Sequence, residues 1–135
     1  MINTSARKKI LMVDDDEVQL AIAEIILKKD YDVVTTTSGE KALAYLLQGS
    51  APHLILLDIV MPHMDGWETF NRLKAISCLH DVPIAFFTSL SESSEKNRAY
   101  EMGAVDFIQK PFQKEELRSR VKAMLEKHQP GTPAP

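Results

Sequence analysis

A single cysteine, Cys78, leaves nothing with which to form an internal disulfide, and a reducing compartment is expected. It reads as a small, half-buried apolar residue without a role. Charge of one sign is also scarce. Lys and Arg total 16 against 19 Asp and Glu, and the net charge of −3 supports neither a nucleic-acid surface nor an anionic-membrane surface. Long apolar runs are missing: the opening MINTSARKKILMV has basic residues but only four consecutive apolar ones before three aspartates, too few for a signal peptide or a membrane span. A cytoplasmic protein without membrane or direct nucleic-acid partners is expected. Internal repeats are absent, and the only biased stretch is the closing QPGTPAP with its three prolines.

What is present suffices for one compact domain, since 44% of the 135 residues are hydrophobic. Residues 8–128 are read as that domain, 1–7 as an N-terminal extension and 129–135 as a flexible Pro-rich tail or linker. Four short apolar runs stand out, at Ile10 to Val13, Leu54 to Leu57, Ile84 to Phe87 and Phe107-Ile108. They lack alternation and are bounded by polar or turn residues, the pattern of parallel strands covered on both faces. Val33-Val34-Thr35 is a weaker, more polar candidate for an edge strand. Between the runs lie helical periods: Val18, Ile22, Ile25 and Ile26; Leu43, Leu46 and Leu47; Trp67, Phe70 and Leu73; Leu117, Val121, Met124 and Leu125. Asp16 and Ser38 can cap the first two helices, and Asp65 with Glu68 makes a capping-box-like pair for the third. Residues 93–102 form the weakest helical segment, having few apolar positions. Five βα units predict right-handed crossovers and an open doubly wound sheet. At this size the flavodoxin-like (βα)5 strand order 2-1-3-4-5 is the natural choice, taken from known sheets of this class and not from the pattern itself.

In such sheets ligands collect at the carboxyl ends of the strands. The residues following the apolar runs are Asp14, Asp15 and Asp16, then Asp58, then Thr88 and Ser89, and finally Lys110. One aspartate after a strand is usually a helix cap, but several carboxylates converging on one edge repel one another unless a hard divalent cation with oxygen ligands sits among them. A Mg²⁺ or Mn²⁺ site is therefore expected. Lys110 is either a counter-ion to the acidic cluster or a contact to a substrate anion. A metal, an ammonium and a hydroxyl around one carboxylate are the parts that hold a transferring phosphoryl group, with Asp58 as the nucleophile that becomes an acyl phosphate.

The string LILLDIVMPHMDG at 54–66, together with LMVDD at 11–15, PIAFFTS at 83–89 and DFIQKPF at 106–112, closely resembles the response-regulator receiver family of two-component signalling. Four motifs in order on one (βα)5 pattern make the likeness specific, and it covers residues 8 to 127. The resemblance implies Asp58 as phosphoacceptor, and Asp14 and Asp15 as the metal-binding acids, with Asp15 a direct ligand and Asp14 acting mainly through metal-bound water. It implies the backbone carbonyl of Val60 as a further ligand, Thr88 and Lys110 as phosphate contacts, a cis bond before Pro111, and a switch formed by Thr88 and Phe107. It further implies a histidine kinase or phosphotransfer protein as donor. A downstream protein target or fused output domain would then read a signalling switch rather than an enzyme. A phosphorylation-dependent homodimer through the fourth helix, fifth strand and fifth helix would use Lys96, Glu101 and Asp106 against Glu116, Lys122 and Arg120.

Other residues are expected to carry less. Asp16 and Glu17 read as solvated first-turn acids, His53, His63, His80 and His128 as surface residues, and Trp67 as a packing residue of the third helix. Two other readings compete. A metal-dependent aspartyl phosphatase resembling the haloacid-dehalogenase type would use Asp14-Asp15-Asp16-Glu17-Val18 as its D-x-D-x-V motif, but it needs a further acidic pair that is missing after Lys110. A flavin module on the same fold would need Ser, Thr and Gly amide donors where Asp14 to Asp16 stand.

Overall fold

A computed structural model of the chain describes residues 7–49 and 51–128. Most of the extension and all of the tail expected at the two ends lie outside these residues. Arg7 is tied down, donating to the carbonyls of Lys28 and Tyr31 and lying 3.5 Å from Asp32.

Five strands, β1 (Lys9–Val13), β2 (Asp32–Thr36), β3 (Leu54–Leu57), β4 (Ile84–Thr88) and β5 (Phe107–Gln109), alternate with five helices. These are α1 (Glu17–Leu27), α2 (Gly39–Leu46), α3 (Gly66–Lys74), α4 (Ser93–Met102) and α5 (Lys114–Lys127), with a 3-10 turn at Ser77–Leu79. The sheet is parallel throughout and runs β2-β1-β3-β4-β5, as expected. Alternation along each strand divides the interior in two. Leu11, Val13, Ile55, Leu57, Ile84, Phe86 and Phe107 face α2, α3 and α4, whereas Ile10, Met12, Leu54, Leu56, Ala85, Phe87 and Ile108 face α1 and α5. The apolar runs are unbroken because both faces are covered.

Caps form where the polar residues lie. Asp16 accepts from the amides of Val18 and Gln19, Ser38 from Lys41 and Asp65 from Glu68. The Asp65–Glu68 pair is only half a capping box, because the Glu68 carboxylate turns to Arg72 at 2.7 Å. The reciprocal box belongs instead to Glu92 and Glu95, which start the apolar-poor α4. In α1 only Ile26 of the expected core period packs against the core, half-buried. Leu20, Ala23 and Leu27 are buried, while Val18, Ile22 and Ile25 are 66%, 43% and 56% exposed. Cys78 is exposed, since its short turn lies on the surface. His53 is half-buried and structural, its Nδ1 accepting the Lys9 amide at 2.9 Å.

Candidate phosphoryl and metal site

Three strands end in carboxylates or their partners within one open cleft of about 420 Å³, lined by Asp15, Asp16, Gln19, Asp58, Val60, Ser89, Lys110 and Pro111. Asp14, at the end of β1, is fully buried; its Oδ1 accepts the Asp16 amide at 2.9 Å and its Oδ2 lies 2.5 Å from Lys110 Nζ. Asp58, just past β3, is 5% exposed, and its Oδ1 accepts its neighbour Ile59's amide at 2.8 Å. Its Oδ2 lies 3.7 Å from Lys110 Nζ. Lys110 reaches both from beyond β5, with its own amide donating to the Thr88 carbonyl at 2.8 Å and its ammonium 4.8 Å from the Phe87 ring centre. The Lys110–Pro111 bond is cis. Thr88 is buried, and Phe107, in register with Phe86 of β4, is 4% exposed.

Burial is the main reason the Asp58 carboxyl titrates high, at about 6 against an ordinary 3.8. Lys110 opposes this shift, Asp14 reinforces it, and the neighbouring Thr88 hydroxyl opposes it. The group is therefore held at the edge of ionisation by its own surroundings, and a cation would tip it to the charged form.

Asp14, Asp15 and Asp58 each offer an oxygen, and these lie within 4.8 Å of one another. An all-oxygen set of this size fits a hard divalent cation. Both oxygens of Asp14 are already engaged, whereas Asp15 is exposed. Val60 lines the same cleft and is 55% exposed.

Gln19 went unread in the sequence, and the counter-ion reading of Lys110 is met by Asp14 in particular, which the sequence did not single out. Gln19 stands three residues after the Asp16 cap, so one helical turn returns it to the cleft, and that spacing was available as a signal. The pair joins residues 96 positions apart and left no local trace. On the α4–β5–α5 face Asp106 accepts from Arg120 at 2.8 Å, and Arg120 also lies 3.4 Å from Glu116. Trp67 packs edge-on against Phe86 at 5.1 Å and carries the Arg98 guanidinium 4.1 Å from its ring centre.

Residues 10–122 match the response regulator receiver domain. This chain belongs to that family. It is 38% identical over 120 residues to the probable transcriptional regulator ycf27 of Cyanophora paradoxa, covering 88% of this chain and 48% of that one. It is 36% identical over 128 residues to the alkaline phosphatase synthesis transcriptional regulatory protein PhoP of Bacillus subtilis, covering 94% and 52%. The receiver chain thus spans about half the length of the curated relatives it matches. Among solved structures, the signal receiver domain of a signal transduction histidine kinase from Syntrophus aciditrophicus superposes with a TM-score of 0.81 at 32% identity, covering 95% and 97% of the two chains. The phosphatase reading finds no support: the receiver match covers the site, and the acids that follow Lys110, Glu115 and Glu116, are exposed in the first turn of α5.

Proposed function

We propose that this receiver takes a phosphoryl group on Asp58 from a phosphohistidine of a histidine kinase or phosphotransfer protein. The observation that carries the reading is the convergence of Asp15, Asp58 and Lys110 on one open cleft, with the buried Asp14 against Lys110 and the buried Thr88 hydroxyl beside Asp58. Asp58 attacks phosphorus, the phosphorus–nitrogen bond of the donor breaks, and the imidazole leaves, so the carboxylate becomes an acyl phosphate. Asp14, Asp15, Asp58 and the Val60 carbonyl would hold a Mg²⁺ or Mn²⁺, with Asp15 the direct ligand because Asp14 is spoken for. The cation supplies charge neutralisation at the phosphoryl oxygens. Lys110, already 3.7 Å from Asp58 Oδ2, contacts one of those oxygens, and the Thr88 hydroxyl another. Thr88 moving toward the phosphoryl group and Phe107 filling the space behind it make the switch, a two-state element biased by one charge-assisted hydrogen bond.

The chain acts as a switch in the cytoplasm; among the described residues no helix is long and apolar enough to cross a membrane. A protein donor is supported by the uncovered apolar stripe of α1, which adjoins Asp16 and Gln19 at the cleft mouth. The output is read at α4, β5 and α5 by a downstream protein or a fused domain. Transcription is the favoured output because the relatives named above are transcriptional regulators. A homodimer through the same face would have to exchange the internal Asp106–Arg120 pair for one across the two-fold axis.

The test is labelling from acetyl phosphate. Wild type is expected to incorporate a hydroxylamine-labile phosphate only with divalent metal, and Asp58→Asn to incorporate none. Label that survives both excess EDTA and that substitution would overturn the reading.

A further inference from the structure

Two glycines have no room for a side chain, and the obstacles differ in kind. A methyl at Gly39 would run into Thr69 Oγ1 and come within 3.1 Å of Met64 Sδ, both side-chain atoms, although Thr69 is itself buried with its hydroxyl bonded to the Asp65 carbonyl. A methyl at Gly66 would run into the Asp58 carbonyl oxygen and lie 2.5 Å from Ile59 Cα and 2.9 Å from the Asp58 carbonyl carbon, all of them backbone. Gly66 also donates its amide to the Ile59 carbonyl at 2.7 Å. The first residue of α3 is thus pressed against the peptide unit that leaves Asp58. That unit is planar, so its carbonyl and its N–H move together. Its N–H is the group that holds Asp58 Oδ1 at 2.8 Å.

We propose that Gly66 is a positioning residue for phosphoryl acceptance: by lacking a side chain it lets α3 clamp the Asp58–Ile59 peptide, which aims the Asp58 carboxylate and the Val60 carbonyl into the cleft. A methyl group at Gly66 tilts that peptide by pushing its oxygen, which swings the amide that orients the nucleophile. The inference rests on Asp58 being the acceptor. A misplacement on the order of 1 Å at a reacting group lowers a rate by up to about 100-fold.

The experiment compares wild type, Gly66→Ala, Asp58→Asn and Leu125→Ala, the last a buried α5 substitution chosen for its effect on stability alone. Each is labelled with acetyl phosphate across a Mg²⁺ titration at a temperature where circular dichroism shows it folded. Gly66→Ala is expected to lower the maximal labelling rate by about 10- to 100-fold and to raise the Mg²⁺ midpoint, with half-saturating acetyl phosphate little changed. Leu125→Ala is expected to keep the wild-type rate and midpoint. A Gly66→Ala protein that matches Leu125→Ala in both overturns the positioning role and leaves the acceptor reading standing. Labelling of Asp58→Asn at the wild-type level removes the acceptor reading and this inference with it. Should Gly66→Ala not fold, Asp65→Ala takes its place: it removes the α3 cap on the Glu68 amide and loosens the same clamp without adding bulk. A smaller loss of rate with a raised Mg²⁺ midpoint supports the proposal, and no change in either overturns it.

Discussion

The helices α1 and α5 cover the same face of the sheet and use their apolar residues differently. In α5 one stripe, Leu117, Val121, Met124 and Leu125, carries the apolar period and is wholly buried. In α1 the burial falls to Leu20, Ala23 and Leu27, and a second stripe of Val18, Ala21, Ile22 and Ile25 is left in water. Apolar period therefore identifies a helix without saying which side meets the core when two stripes are present. The outer stripe of α1 is apolar surface that the isolated fold does not need. The strongest way to sharpen the contrast is Leu117→Ala, whose fully buried side chain leaves a cavity when removed. It should cost about 2–5 kcal/mol in urea unfolding. A loss as small as that of a surface substitution would mean that α5 is not anchored through this stripe.

The carboxylate edge breaks the rule that burial stabilises. Desolvation, reinforced by Asp14 and opposed by Lys110 and Thr88, holds the Asp58 carboxyl at about 6, against 3.8 in an ordinary setting. A carboxyl raised on folding binds its proton more tightly in the native state. Its favourable share of stability is fully present below about pH 4 and is lost as pH rises through about 6. At pH 7.5 without metal, Asp58→Asn should therefore be more stable than wild type by up to about 3 kcal/mol. The advantage should shrink as pH falls from 6 to 4, and saturating Mg²⁺ should reduce it at pH 7.5 by stabilising the wild-type carboxylate. Thermal melts across pH decide it, and a difference constant from pH 4 to 7.5 would show that the ionised Asp58 is not what costs stability.

Much of this arrangement could be read from local pattern, and the remainder needed the fold. The runs at β1, β3 and β4 announced themselves because strands covered on both faces cannot alternate. The caps Asp16, Ser38 and Asp65 announced three helix starts because each satisfies amides two or three residues away. Even α4, poor in apolar residues and burying only Ala99, runs over the expected span, its start supplied by the Glu92–Glu95 box. Partnerships across the chain left no such trace. His53 meets the Lys9 amide over 44 positions, and Lys110 meets Asp14 over 96, so neither follows from spacing. The space demanded at Gly66 is equally invisible, because the glycine is needed for the approach of a strand end rather than for its own backbone angles.

The smallest effect on stability should come from the outer stripe of α1, and there the contrast with α5 becomes functional. Ile22→Gln and Ile25→Gln replace exposed apolar side chains with a good helix former. Away from the core each should change stability by no more than about 0.5 kcal/mol. Their consequence should appear only when the phosphoryl group arrives on a protein. Asp16 and Gln19, flanking Val18 at the start of this stripe, line the cleft over Asp58, so a donor whose apolar helix lies along Val18, Ile22 and Ile25 brings its phosphohistidine to the cleft mouth. Acetyl phosphate needs no such surface. The double substitution should leave labelling by acetyl phosphate unchanged while slowing transfer from a phosphorylated histidine donor by roughly tenfold, the effect of about 1.4 kcal/mol of lost docking energy. Equal slowing with both donors would mean that the stripe acts on the acceptor chemistry. Equal indifference would leave α1 with an apolar face that no phosphodonor uses, and the difference between the two helices would then be one of packing alone.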